Sequence, residues 1–179
     1  MPSVFKRAFF ISALAGLCLE AFALCSKPVY LTFDTGHMGV APLIADVLKR
    51  QQVKVTFFAA NEPTQEGDGT LGEHWAPWWR ARADEGHAFA SHTFDHVYWQ
   101  ADHSPEGWKM KPSAGPNKGI SSIWTPKQYC AEIQRANSRL QEITGKKPLS
   151  LFRAPGGKTS PSLLAAAKQC GFGHVGWAD

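Results

Sequence analysis

Residues 29–36 read Val-Tyr-Leu-Thr-Phe-Asp-Thr-Gly, an apolar, aromatic and β-branched run that stops on a carboxylate and then on turn residues. That pattern specifies a short buried strand whose end carries Asp34. The arrangement recurs twice. A strand predicted over residues 87–91 delivers His92-Thr93-Phe94-Asp95-His96, and one over residues 149–152 delivers Arg153-Ala154-Pro155-Gly156-Gly157. Residues 53–59 and 174–177 supply two more strands, five in all. Helical spacing fills the intervals. Pro42 to Gln51 carries Leu43, Ile44, Val47 and Leu48 on one face, and Trp75 to Glu85 is stopped by Gly86. Thr125 and Pro126 open a helix that Gly145 ends, and Ser160-Pro161 caps another that ends before Gly171. Strand–helix alternation implies an α/β fold with a parallel sheet and right-handed crossovers. The polar, Gly-rich residues 61–72 read as a loop, and so does the Pro-punctuated stretch 101–125.

The chain has 179 residues, 44% of them apolar, which suffices for one packed domain. Residues 1–23 read as a secretory signal peptide: Lys6 and Arg7, an apolar run from Ala8 to Leu19, and small residues at Ala21 and Ala23. The alternative is an N-terminal anchor. Cleavage after Ala23 would leave 17 basic and 14 acidic residues, a net charge of +3, and no stable membrane span. No Lys/Arg cluster runs along the chain, so nucleic acid is not an expected partner. The expected location is outside the cytoplasm, periplasmic or secreted. Cys25, Cys130 and Cys170 would survive cleavage. A Cys130–Cys170 bridge and buried free thiols both fit. No Cys-x-x-Cys pair is present, so a thiolate zinc site is not expected.

His92 and His96 are four apart, a spacing that on a helical turn brings both imidazoles to one metal ion; the alternative is two surface histidines. Asp34 at the end of an apolar strand needs a metal-bound water, a cation or backbone N–H groups, unless it simply caps a turn. Arg153 is its natural partner, because a guanidinium beside a carboxylate fixes its orientation. Pro155-Gly156-Gly157 makes a tight turn that lets a ligand approach the backbone. Among the tryptophans, Trp99 and Trp108 are the candidates for stacking on a sugar ring, whereas Trp75, Trp78 and Trp79 at helical spacing read as packing residues.

The three segments, in this order and at strand ends, resemble the polysaccharide deacetylases, the NodB-homology fold of carbohydrate esterase family 4. The resemblance covers about Pro28 to Asp179. It implies an incomplete (β/α) barrel over residues 28–179, missing its C-terminal strands, with a divalent metal, zinc being the expected one, and a glycan as substrate. The family's first motif is Thr-Phe-Asp-Asp-Gly, with the first Asp as general base and the second on the metal. Asp34 matches the first, but Thr35 stands at the second. The motif His-(Ser/Thr)-x-x-His matches at His92, Thr93 and His96 and implies both histidines as metal ligands. Arg-x-Pro-x-Gly matches at Arg153, Pro155 and Gly157 and implies a groove wall, with Arg153 orienting the base. The family's later Leu-x-His motif, which supplies the general acid, has no counterpart up to Asp179. Thr35 is a poor zinc ligand, and His37 is the expected replacement, with Asp95 the other candidate. The implied activity is removal of N-acetyl or O-acetyl groups from a polysaccharide. The competing expectations are a catalytically dead, sugar-binding relative that has lost the metal, and a truncated product with no independent fold.

Overall fold

The computed structural model describes residues 28–103 and 107–177. The predicted signal peptide and Cys25 lie outside the described residues. Five parallel strands form the main sheet: β1 (Thr32–Asp34), β2 (Thr56–Ala59), β3 (Ala88–Ser91), β7 (Leu151–Phe152) and β8 (Gly173–His174), in spatial order β1-β2-β3-β7-β8. Helices α1 (Ala41–Gln51), α2 (Ala76–Asp84), α3 (Pro126–Thr144) and α4 (Pro161–Gln169) join them. The α/β alternation expected from the sequence is therefore present. The strands are shorter than their apolar runs, because only the segments in register pair: Thr32 to Asp34 lies opposite Thr56 to Phe58, and Thr56 to Ala59 opposite Ala88 to Ser91.

Residues 101–125 are not a structureless loop. They belong to an antiparallel sheet of β4 (Val97–His103), β5 (Gly107–Pro112) and β6 (Ser122–Trp124). Strict alternation runs through β5, where Trp108 and Met110 are buried while Lys109 and Lys111 are exposed. Pro112 sits at the end of its strand, where its missing N–H does least harm. Trp108, expected to meet substrate, is only 3% exposed; its indole N–H donates to Ser162 Oγ at 2.8 Å and its ring packs on Tyr129. It is a core residue.

Two apolar clusters hold the layers together. One joins α1, α2 and the C-terminal part of α3 to the parallel sheet through Leu48, Phe57, Trp79, Phe89 and Leu140. The other joins the antiparallel sheet to α3 and α4 through Val97, Met110, Tyr129, Ile133, Phe152 and Leu163. Thr125 and Gln128 form the full capping box of α3, and Gly145 takes the left-handed conformation (φ 66°) that ends it. No described helix is long and apolar enough to cross a membrane.

Of the two cysteine readings, the bridge holds. Cys130 on α3 and Cys170 at the end of α4 are disulfide-bonded with Cα atoms 6.2 Å apart, a separation of 40 residues. A loop of that length closed in the unfolded state contributes ~4 kcal/mol. Paired Cys130→Ser and Cys170→Ser replacements should lower the unfolding free energy by about that amount in urea titrations. An unchanged midpoint would show that the bridge is dispensable.

Candidate active site

All three sequence segments reach the same end of the parallel sheet, beyond the C-terminal ends of β1, β3 and β7. Arg153 is the hub. It is 3% exposed, and its guanidinium donates to Asp34 Oδ1 (2.7 Å), Thr32 Oγ1 (2.9 Å), Val175 O (3.1 Å) and Gly176 O (3.4 Å). Phe58 lies under it, 4.3 Å from the ring centroid. Asp34 Oδ2 accepts the Trp177 indole N–H at 3.1 Å and faces His92 Nε2 at 3.8 Å. Both carboxylate oxygens are thus directed by the protein.

The two histidines stand on a turn between β3 and β4, not on a helix. Their spacing works because Thr93 and His96 both adopt left-handed backbone angles, φ 59° and 48°. That conformation costs roughly 1–2 kcal/mol per non-glycine residue. Buried hydrogen bonds offset it: Thr93 N–H donates to Ser91 Oγ (3.1 Å), and Thr93 Oγ1 accepts Val97 N–H (2.8 Å). The imidazole centroids end up 4.9 Å apart. Each ring is also locked from behind. His92 Nδ1 contacts Arg153 O at 2.8 Å, and a carbonyl can only accept, so Nδ1 carries the proton. Ser113 Oγ donates to His96 O (3.1 Å) and so accepts from His96 Nδ1 (2.6 Å). Both Nε2 lone pairs are left free, the state a metal ligand needs. Burial lowers the His92 pKa against the pull of Asp34, and burial together with His92 lowers His96 to about 4. Both rings are therefore neutral near pH 7.

Thr35 does not act as a truncated ligand. Its Oγ1 accepts Ala60 N–H at 2.8 Å and its own hydrogen reaches Ala60 O at 3.4 Å, tying the end of β1 to the end of β2. His37, the expected replacement, is exposed, and its Nδ1 accepts Gly39 N–H at 3.1 Å. Asp95 turns away to Arg135, 3.3 Å distant. The sequence reading missed Glu62, in a loop it took only as polar. Glu62 Oε1 is 3.9 Å from His96 Nδ1, and its Oε2 is buried without a hydrogen-bond partner. Burial raises its pKa to about 7; Thr35 opposes the rise and the Asp34 charge adds to it. Glu62 thus offers an unpartnered oxygen behind the His96 ring, a donor type that suits zinc, although no three such groups are already gathered at ligating spacing among the described residues.

The turn at Pro155-Gly156-Gly157 closes one side. Gly156 and Gly157 have φ 64° and 66°, and a Cβ would run into the Tyr98 ring at the first and the Trp177 ring at the second. Pro155 is buried and Gly156 exposed, so the wall is offered through the backbone of Gly156. Tyr98, whose ring lies 5.0 Å from His96, lines an open groove with Gln100, Lys111, Ser113 and Lys158. Trp99 is half-buried, its indole N–H on Asp102 at 3.1 Å.

A family model described as polysaccharide deacetylase matches residues 23–175. The peptidoglycan-N-acetylmuramic acid deacetylase PdaA of Bacillus subtilis is 28% identical over 153 residues, 85% of this chain and 47% of its own length. Its structure superposes with a TM-score of 0.57 at 27% identity, covering 83% of this chain and 51% of that one. A chitooligosaccharide deacetylase of Azorhizobium caulinodans is 26% identical over 84% of this chain and 58% of its own. A CE4-family pseudoenzyme of Bacillus anthracis has the same fold, with a TM-score of 0.58 at 17% identity over 84% of this chain and 43% of that one. The chain spans about half the length of these relatives.

Removing the Arg153 side chain leaves the half-buried Asp34 carboxylate with the Trp177 indole N–H but no cation beside it, so Arg153→Ala should cost roughly 3 kcal/mol of unfolding free energy. A loss below 1 kcal/mol in denaturant titration would contradict the central place given to this pair. Glu62 makes a pH prediction. The unfolded chain ionises this carboxyl near 4.5 and the folded one at about 7, so stability is withdrawn as pH rises through that window. His96 acts oppositely, its contribution being lost as pH falls from 6.5 towards about 4, and it is present in both proteins compared. In chelator, the melting temperature of Glu62→Gln should therefore gain on that of the wild type between about pH 5 and pH 8. A constant difference would refute the shifted carboxyl.

Proposed function

Because the chain belongs to the polysaccharide deacetylase family, we propose that it is an exported, metal-dependent hydrolase that removes N-acetyl (or O-acetyl) groups from a cell-envelope or extracellular polysaccharide. One observation carries the reading: Asp34, oriented by Arg153 and Trp177, faces the free Nε2 of His92 at 3.8 Å, with the His96 ring beside it. A base and two neutral imidazoles directed to one place suit hydrolysis by an activated water. The relatives' printed activities, on peptidoglycan and on chitooligosaccharide, support a glycan amide as substrate. Export rests on the composition of residues 1–23.

His92 and His96 would hold the metal through Nε2, and zinc fits this donor type best. When bound, the metal supplies a Lewis acid for the acetyl carbonyl and a water of lowered pKa. Asp34 is placed to take a proton from the attacking water as the water oxygen adds to the carbonyl carbon. Arg153 holds the carboxylate in line and stabilises its orientation without touching substrate. The carbon–nitrogen bond then breaks as the proton held by Asp34 passes to the leaving nitrogen, releasing acetate and the free amine of the sugar. The Gly156 backbone and the Tyr98 groove flank the position of the sugar, whereas Trp99, the other tryptophan expected to meet it, does not line that groove and packs against the second apolar cluster. A second reading, a sugar-binding relative without metal, draws on Thr35, whose hydroxyl is committed to Ala60.

Acetate release from chitooligosaccharides and peptidoglycan fragments tests the assignment. Asp34→Asn retains the acceptor for Arg153 but not the base, and should lower kcat by roughly 10²–10⁴-fold. Turnover equal to that of the wild type would remove Asp34 from the mechanism. Sugar binding without turnover or metal in the wild type would select the second reading.

A further inference from the structure

The family motif places a carboxylate at position 35, and this chain has Thr35 there, with its oxygen bonded to Ala60 N–H and directed back at Ala60 O. The charge lost from the end of β1 has a counterpart two residues past Ala60. Glu62 lies with Oε1 3.9 Å from His96 Nδ1 and with Oε2 buried and unpartnered. A buried carboxylate oxygen left without a donor carries a desolvation cost that a cation would relieve.

The backbone that carries Glu62 is held, not loose. Glu62 O accepts Thr70 N–H (2.8 Å) and Thr70 Oγ1–H (3.1 Å), and Thr70 Oγ1 also lies 3.0 Å from Gly36 O in the Asp34-Thr35-Gly36 turn. Asn61 N–H donates to Phe94 O (2.7 Å), inside the turn that bears both histidines. One short segment is thus fastened to both motif turns, immediately beside the acid. The competing carboxylates are engaged elsewhere: Asp34 with Arg153 and Trp177, Asp95 with Arg135. His37 is exposed.

We propose that Glu62 is the third protein ligand of the metal, taking over from the β2-side loop the role that an Asp at position 35 plays on β1. This rests on the metal-dependent reading above. Two imidazoles and one carboxylate make an open set of three protein ligands, the composition of hydrolytic zinc sites that keep a position for water. Glu62 approaches the Nδ1 side of His96, so its side chain must turn to join the free Nε2 atoms. A long Glu side chain on a pinned backbone can make that adjustment, whereas the short Thr35 side chain cannot leave Ala60 without releasing a backbone amide.

The test is calorimetric titration of the purified chain with Zn²⁺, together with the visible spectrum of the Co²⁺-loaded protein. The wild type should bind one zinc, and His92→Ala should abolish binding. Glu62→Gln, nearly isosteric, should weaken zinc by at least the ~10–100-fold that loss of an outer partner costs and reduce the cobalt absorption. Thr35→Asp placed in the Glu62→Gln background should restore both. Zinc binding by Glu62→Gln equal to that of the wild type, with His92→Ala still inactive in binding, would overturn this proposal and leave the metal-dependent hydrolase standing. Weakened binding with an unchanged cobalt spectrum and no recovery in the double variant would show a structural effect and also overturn it. No zinc bound by the folded wild type would remove both readings together.

Discussion

The ion pair between Arg153 and Asp34 is the constraint on which the rest of the site depends. The two residues end strands β7 and β1, which are three strand steps apart in the sheet, about 14 Å at ordinary strand spacing. Only a long side chain crosses that gap. The guanidinium lies over Phe58 of the intervening β2, donates to Thr32 on β1, and also donates to Val175 O and Gly176 O just past β8. Burying such a charge is costly, and the cost is met here by partners around the whole planar fork. The same contacts draw Trp177 onto Asp34, so the carboxylate is oriented from both sides.

Around that fixed carboxylate, the turn after β3 presents two imidazoles under strain. Left-handed Thr93 and His96 would not persist in an isolated peptide. They persist because Thr93 is fully buried, its hydroxyl closes on Val97 N–H, and Arg153 O and Ser113 Oγ hold the rings from behind. Arg153 therefore serves both halves of the site, with its side chain on the base and its carbonyl on His92. The pairing of a strained turn with locked tautomers is a form of preorganisation: the lone pairs face inward before any ligand arrives.

Thr35 and Glu62 show how a site can redistribute its charge without changing the fold. Thr35 stitches two strand ends together, a role its short hydroxyl performs where a carboxylate could not donate to Ala60 O. The acidic side chain then sits one loop away, on a backbone anchored by Thr70 and Phe94.

The alternation of strands and helices, the strand-end positions of Asp34, His92 and Arg153, and the caps at Thr125 and Gly145 were all legible in the sequence, because each is a local pattern of polarity or backbone propensity. Neighbouring signals were legible too and point the other way from a loop: Trp108-Lys109-Met110-Lys111 alternates as a strand should, although the prolines at 105, 112 and 116 mask it. Tertiary structure alone decided the burial of Trp108, the Cys130–Cys170 bridge, the exposure of His37 and the approach of Glu62 to His96. Each of these depends on which distant segments pack together. A local pattern can place a side chain on an element, but its neighbours across the fold are set by the joint packing of all the elements.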